Sequence, residues 1–339
     1  MMTQELINNY SNIIIVSHFN PDGDAIGSTT AFYEFLKTLN KKSQIIVPSK
    51  FPDYLNFLDR DSKIVIYTQT PELAESLMEK ADLIICLDFN KLSRTEGLSD
   101  LLEKSSAYKF LVDHHPSPEI EKFDEIVSSV EVSSTCELLF KTLYESDMVN
   151  KDISKFPYKS LESFATGLVT DTNNFRNSIH SFTFEMASLL VNAGVDMEDI
   201  YKRTFGSYTK ERMMLMGEML SSKMVINEEY EYGFMVMNQD LKDKYCYQNG
   251  DSEGFVNLPL LIKDIEIAAL FIESDNFIRV SLRSKGKYSV NELSNEFFNG
   301  GGHDRAAGGR LFIPIEEVAS YFETSVKAFI DKKRHKICK

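Results

Sequence analysis

The run Ile13-Ile14-Ile15-Val16 is unbroken, β-branched and bounded by polar residues, the pattern of a strand buried on both faces of a parallel sheet. With its edges it predicts a strand over 12–17. Similar short runs predict strands over 43–47, 63–67, 82–88 and 109–113. Apolar positions spaced three and four apart predict helices over 25–39, 71–80, 134–146, 158–169 and 181–193. In the first of these, Phe32, Phe35, Leu36 and Leu39 share one face. Strand alternating with helix predicts an α/β fold, a doubly wound and mainly parallel sheet domain over residues 1–193. Residues 194–222 form a connector that opens at Ala193-Gly194, and the charged stretch from Asp196 to Arg212 is expected to be partly helical because Gly and Pro are sparse there. Beyond it, strands over 232–237, 265–273, 277–282 and 310–313 mix with helices near 256–261, 290–297 and 316–327. They predict a smaller α+β C-terminal domain over 223–339.

The polar residues that end these runs carry the candidate chemistry. The first strand empties into Ser17-His18-Phe19-Asn20-Pro21-Asp22-Gly23-Asp24, where Pro21 and Gly23 are expected to bend the backbone so that His18, Asp22 and Asp24 converge. The run at 82–87 delivers Asp88, and the run at 108–112 delivers Asp113-His114-His115. A fourth acid, Asp171, follows the helical stretch around 161–165. Ligands of open α/β sheets collect beyond the carboxyl ends of the strands. A single D-x-D or H-H is ordinary surface decoration; recurrence at successive strand ends is what marks a site. Mixed imidazole and carboxylate donors suit Mn²⁺, Fe²⁺, Co²⁺ or Zn²⁺, whereas Ca²⁺ and Mg²⁺ prefer oxygen throughout. Six such groups exceed the needs of one ion. They predict a paired site with a shared carboxylate, suited to hydroxide attack on phosphorus. Farther along, Gly300-Gly301-Gly302 precedes His303, and the glycines are expected to form a concave nest of backbone N–H groups for a phosphate or a base. Arg283 closes a strand expected to lie alongside.

Composition narrows the function classes. The chain has 339 residues, 43% of them hydrophobic and 26% charged, enough for two domains with full cores. A formal net charge of −14 argues against coating long nucleic acid, which needs phosphate neutralisation by lysines and arginines. A short nucleotide substrate is compatible with it, because bound divalent ions would cancel acidic charge where it is densest. No apolar run approaches a membrane span and no secretory leader pattern opens the sequence, so a cytoplasmic location is expected. Cys86, Cys136, Cys246 and Cys338 are widely scattered, without zinc or disulfide spacing; Cys86 and Cys136 read as reduced core residues.

Taken together, His18-x-x-x-Asp22-x-Asp24, Asp88, Asp113-His114-His115 and Thr170-Asp171-Thr172 resemble the four motifs of the DHH phosphoesterase family, in order. Val280-Ser281-Leu282-Arg283-Ser284 and Gly300 through Gly309 resemble the DHH-associated C-terminal domain. The resemblance is nearest to the nanoRNase and pAp phosphatase group, with cyclic dinucleotide phosphodiesterases as neighbours. It implies two divalent ions, Mn²⁺ first, with Co²⁺, Fe²⁺ or Mg²⁺ as substitutes. It makes His18, Asp22 and Asp88 ligands of one ion and Asp24, Asp88, His114 and Asp171 ligands of the other. Asp113 is then an orienting carboxylate, and His115 a hydrogen-bond donor or general acid facing the phosphate. Arg94, Arg283, Ser284, Gly301, Gly302 and His303 would bind substrate. The implied activity is cleavage of short oligoribonucleotides such as pApA, removal of the 3′-phosphate of adenosine 3′,5′-bisphosphate, or both. A cyclic di-AMP phosphodiesterase is the alternative, ahead of an exopolyphosphatase or pyrophosphatase, or a nucleotide sensor without catalysis. A short oligonucleotide or nucleotide is the expected partner, with no long duplex and no membrane; a homodimer is an allowed assembly. One departure stands out: Asn173 occupies the place where relatives commonly carry glycine.

Overall fold

The computed structural model describes residues 2–248 and 250–337, so Cys338 lies outside the described residues. The chain divides into two compact units, Met1–Ser207 and Tyr208–Lys339. The first unit begins with helix α1 (Gln4–Asn8), strand β1 (Ile13–Val16), α2 (Gly23–Thr38), β2 (Ser43–Val47), β3 (Ile64–Ile66) and α3 (Pro71–Met78). It continues with β4 (Leu83–Leu87), α4 (Ser99–Lys104), β5 (Tyr108–Asp113) and β6 (Glu125–Ser128). Four helices complete it: α5 (Thr135–Tyr144), α6 (Tyr158–Asp171), α7 (Ser181–Asn192) and α8 (Met197–Thr204).

The six strands pair in the order β3-β2-β1-β4-β5-β6, every pair parallel. This is the doubly wound sheet expected from the sequence. Ile13 and Ile15 enter one core cluster and Ile14 and Val16 another, so β1 is buried on both faces as its unbroken run requires. Strand order reverses between β1 and β4, which places the residues after these two strands at the topological switch point where such sheets bind ligands.

The second unit holds α9 (Lys210–Glu218), β7 (Met224–Asn227), β8 (Tyr232–Met237), α10 (Gln239–Lys244), β9 (Ile267–Glu273) and β10 (Ile278–Ser284). Then come α11 (Val290–Phe297), β11 (Gly301–His303), β12 (Ala306–Leu311) and α12 (Val318–Ile337). Its sheet runs β11-β12-β10-β9-β8-β7, with the β8–β9 pair parallel and the others antiparallel. Two details correct the sequence reading. The glycine run is an edge strand rather than a nest, and the Gly302 N–H is already donated to Asn291 Oδ1 at 2.9 Å. The last β strand begins at Ala306 rather than 310, because small residues can fill a strand that lies against a packed helix.

Glycines set the closest helix contact of the first unit. A Cβ on Gly27 of α2 would sit 2.8 Å from the Ser163 carbonyl oxygen and 3.0 Å from the Gly167 nitrogen of α6. A Cβ on Gly23 would meet Thr170 Oγ1 at 2.2 Å. Gly23 therefore serves close approach, and the left-handed turn residue before α2 is Asn20, at φ 53°. Among the described residues, no helix is long and apolar enough to cross a membrane.

Gly27→Ala should destabilise the protein by about 1 kcal/mol or more, overpacking outweighing the gain in helix propensity. Gly217→Ala, where a Cβ would meet nothing within 4 Å, should be neutral or stabilising by roughly 0.4–1 kcal/mol. Urea unfolding of both variants measures the contrast.

Candidate metal centre

His18 follows β1, and its ring orientation is fixed from behind. Nδ1 lies 2.9 Å from the Phe19 carbonyl oxygen, so it carries a proton, and Nε2 is the ring atom that faces the acids. Nε2 stands 3.3 Å from Asp88 Oδ2 and 4.0 Å from Asp22 Oδ1. Asp22 is the N-cap of α2, its Oδ1 accepting the N–H groups of Asp24 and Ala25 at 3.0 and 3.1 Å. That bond fixes one carboxylate oxygen at the positive end of the helix.

Asp88 terminates β4 with φ 67°, a left-handed conformation that costs energy for a residue other than glycine. Its Oδ1 lies 3.6 Å from His114 Nε2 and 3.8 Å from His115 Nδ1. His114 Nε2 is also 3.6 Å from Asp171 Oδ2. Ligand atoms of His18, Asp22 and Asp88 lie within 4.8 Å of one another, and so do those of Asp24, Asp88 and His114. The structure thus brings six sequence-predicted metal-binding residues to one place, with Asp88 in both sets. Asp171 closes α6, and the glycine contacts of α2 with α6 bring that helix end to Asp22 and Asp24.

Asp113 does a different job. Its Oδ1 is 2.8 Å from His115 Nδ1 and its Oδ2 accepts the His115 N–H at 3.1 Å. It clamps His115, turning Nε2 away from the acid. Arg94 hands its carbonyl oxygen to the Phe19 N–H at 2.7 Å, and its Nη1 is buried without a hydrogen-bond partner among the described residues. Asn173 has φ 47°, a conformation that glycine favours and asparagine tolerates, which accounts for the departure noted above.

The sequence reading missed the start of α5. The Thr135 and Cys136 N–H groups donate to Asp24 Oδ2 and Oδ1 at 2.6 and 2.8 Å, and the Thr135 hydroxyl donates to Asp88 Oδ1 at 2.9 Å. A helix N-terminus holds two of the buried acids in position. The available signal was Ser133-Ser134-Thr135 before an apolar helix, which is also how an ordinary cap reads.

The electrostatics are those of crowded anions. Burial first, then Asp88, Asp171 and Asp22, hold the Asp24 carboxyl well above its usual range, against the Cys136 N–H. Burial and then Asp88 push Asp113 up to about 7, with His114, Arg94 and the His115 N–H pulling the other way. Burial acts to raise Asp88 too, but the hydrogen bond from His18 and the charges of His18, His115 and His114 hold it below the ordinary carboxylate range. For His18, burial acts to lower the value, and the bond to Asp88 leads the effects that raise it overall. This donor set, imidazoles interleaved with mutually repelling carboxylates, fits divalent cations.

The remaining predicted residues belong to the second unit. Arg283 and Ser284 are neighbours on β10, so they point to opposite faces. Ser284 is buried, and its hydroxyl accepts the Gly286 N–H at 2.9 Å, which turns it away from the Arg283 face. Arg283 Nη1 donates to the Leu282 carbonyl oxygen at 3.0 Å. Gly301, Gly302 and His303 form β11, with His303 opposite Ala306.

Residues 12–168 match the DHH family, N-terminal domain, and residues 235–328 match the DHHA1 domain. The chain is 25% identical over 307 residues to the bifunctional oligoribonuclease and PAP phosphatase NrnA of Bacillus subtilis, covering 89% of this chain and 90% of that protein. It is 25% identical over 342 residues to the cyclic-di-AMP phosphodiesterase PdeA of Listeria monocytogenes, covering 96% of this chain and 49% of that protein. The chain thus spans about half the length of that relative, and for another matched relative 36%. Among solved structures, an exopolyphosphatase-related protein from Bacteroides fragilis superposes with a TM-score of 0.89 at 37% identity, over 96% of this chain and 95% of that one.

Two outcomes test the centre. Asp113, and Asp24 in the same direction, keep protons in the folded metal-free protein that the unfolded chain has already released, so the metal-free protein loses stability as pH rises from about 4 to about 7. Mn²⁺ should therefore raise the melting temperature more at pH 8 than at pH 5, measured by thermal denaturation with and without the ion. Thr135→Val should weaken Mn²⁺ binding roughly tenfold while Thr135→Ser retains it, measured by titration calorimetry.

Proposed function

Because this chain belongs to the DHH family of phosphoesterases, with a DHHA1 domain after its DHH domain, we propose that it hydrolyses short oligoribonucleotides to mononucleotides and removes the 3′-phosphate of adenosine 3′,5′-bisphosphate. The observation that carries this reading is the meeting of two donor sets on one shared carboxylate, Asp88, at the switch point of a parallel sheet. His18, Asp22 and Asp88 would hold one divalent ion; Asp24, Asp88, His114 and Asp171 would hold the other. Their imidazole content favours Mn²⁺, with Co²⁺, Fe²⁺ or Mg²⁺ as substitutes. When bound, such a pair supplies Lewis-acid charge to the phosphoryl oxygens and acidifies a water.

The chain's own residues complete the reaction. The water oxygen would bond to phosphorus as the bond to the departing 3′-oxygen breaks, and His115 Nε2–H would deliver a proton to that oxygen or hold a phosphoryl oxygen. Asp113 keeps the His115 ring in position by engaging Nδ1. The Arg94 guanidinium lowers the proton affinity of both His18 and Asp113, which puts its positive charge beside the cluster, where a phosphate would lie. Arg283 and His303 of the DHHA1 domain would grip the terminal phosphate and the adjoining base.

Likeness to the Listeria enzyme supports a second reading, hydrolysis of cyclic di-AMP at the same centre. A Mn²⁺ assay of initial rates on adenosine 3′,5′-bisphosphate, pApA, a pentanucleotide, cyclic di-AMP and polyphosphate separates the two. The first two should turn over fastest; a clear preference for cyclic di-AMP would replace the first reading with the second. Asp88→Ala should reduce turnover on every substrate by on the order of 10³-fold, since it removes a group common to both donor sets. Full Mn²⁺-dependent activity in that variant would remove Asp88 from the mechanism.

A further inference from the structure

Glu137 is a fully buried carboxylate of the DHH domain that belongs to neither donor set. It lies in the first turn of α5, three residues past the N-cap Ser134, whose Oγ accepts the Glu137 N–H at 3.0 Å. A glutamate at that place ordinarily returns its side chain to the backbone N–H of the cap residue. Here it reaches one residue farther back. Glu137 Oε2 accepts the Ser133 hydroxyl and, at 3.3 Å, the Ser133 N–H. The same oxygen accepts the Thr183 hydroxyl of α7 at 2.7 Å, and the Thr183 oxygen in turn accepts the His180 N–H at 3.0 Å. Three donors crowd one oxygen, while Oε1 is buried with no hydrogen-bond partner among the described residues. Ser133, Ser134, Thr135 and Thr183 are buried with it.

A buried carboxylate with one oxygen unsatisfied costs stability, and Ser134 already caps α5, so capping does not account for Glu137. What it fixes is the segment that touches the acids. Ser133 and Ser134 lead directly into Thr135 and Cys136, whose N–H groups hold Asp24, and the Thr135 hydroxyl holds Asp88. A second tie runs to the far end of the loop that leaves Asp171, because His180 closes that loop and is held through Thr183. We propose that Glu137 is a positioning residue for the divalent pair. It touches neither ion; it sets the α5 N-terminus against Asp24 and Asp88 by gripping Ser133 on one side and α7 on the other. The inference rests on the metal pair of the proposed function and deepens it by naming a residue that governs how tightly that pair is held. The bonds from Thr135 and Cys136 to Asp24 stand at 2.6 and 2.8 Å, and such bonds hold only up to ~3.2 Å. Slack in the residues before them therefore costs both acids their orientation. Groups that orient metal ligands from behind are worth ~10–100-fold in affinity.

The test is calorimetric titration of Mn²⁺ into the metal-free full chain, with circular dichroism showing that each variant is folded at the temperature used. Glu137→Met keeps the length of the side chain and removes its acceptor, and it should weaken Mn²⁺ binding roughly tenfold. Glu137→Gln keeps an acceptor for Ser133 and Thr183 and should stay within about threefold of wild type. Because Glu137 acts through Thr135, the double variant with Thr135→Val should bind little more weakly than either single one. A purely structural role gives the opposite pattern: Glu137→Met lowers the melting temperature and leaves Mn²⁺ affinity at the wild-type value. That result, or full additivity with Thr135→Val, overturns the proposal. If Glu137→Met does not fold, Ser133→Ala reads the same tie from its other end; it should weaken Mn²⁺ binding about threefold, and unchanged affinity there refutes the role. Wild type that takes up no divalent ion refutes the proposed function and this role together. Weakened Mn²⁺ binding in Glu137→Met, with no nucleotide hydrolysed by wild type, refutes the proposed function alone. Hydrolysis with a Mn²⁺ affinity indifferent to Glu137 refutes the positioning role alone.

Discussion

Three carboxylates, Asp24, Asp88 and Asp113, are buried together at the end of a parallel sheet, and the surrounding structure exists to make that tolerable. Buried like charges without compensation would protonate or unfold the region. Compensation comes from three directions. The N-terminus of α5 gives two N–H groups to Asp24 and a hydroxyl to Asp88. Imidazoles of His18 and His114 stand against Asp88 from separate sides. The Asp113 oxygens are both engaged by His115. What is left over is a local excess of negative charge that a pair of divalent ions would balance, and the strain at Asp88 is consistent with a residue held for that purpose.

The spacing of this cluster is set by parts of the chain that carry no charge. Gly23, Gly27 and Gly167 let α2 and α6 approach until side chains touch backbone. That contact fixes where Asp171, at the end of α6, lies relative to Asp22 and Asp24, at the start of α2. A methyl group at Gly27 pushes on backbone atoms, which cannot rotate away. Metal-centre geometry and helix packing are therefore one constraint, and a substitution remote from any ligand can reach the centre through it.

Most of this was legible in the sequence because both of its signals are local. Strands β1, β2, β4 and β5 are short apolar runs, and the residue types that follow β1, β4 and β5 announce their chemistry. The strands that escaped, β6, β7 and β11, all lie at sheet edges. Edge strands are packed on fewer sides, so Glu125–Ser128 and Met224–Asn227 offer only two and three apolar residues in a row, and Gly301–His303 has no side-chain periodicity at all. The contribution of Thr135 escaped for another reason. It acts through a backbone N–H and a hydroxyl at a helix start, and those groups look the same whether they cap a helix or hold an acid 111 residues away. Gly23 was read as a turn residue for its conformation, whereas its role is the space it leaves for Thr170. Sequence reports residue type and spacing; it does not report which partner a small residue makes room for.

Net charge illustrates the same distinction at larger scale. A value of −14 predicts repulsion of any polyanion only if the charge is spread evenly, and here it is not. The DHH domain gathers carboxylates where divalent ions would convert them into a cationic surface for phosphoryl oxygens. The DHHA1 domain places Arg279, Arg283 and Arg310 on one strip of sheet. With a Debye length of ~8 Å at physiological ionic strength, a charge beside any part of the surface responds to the groups near it, and acids farther off are largely screened from it. A strongly acidic chain of this family can therefore still present local surfaces that attract anions.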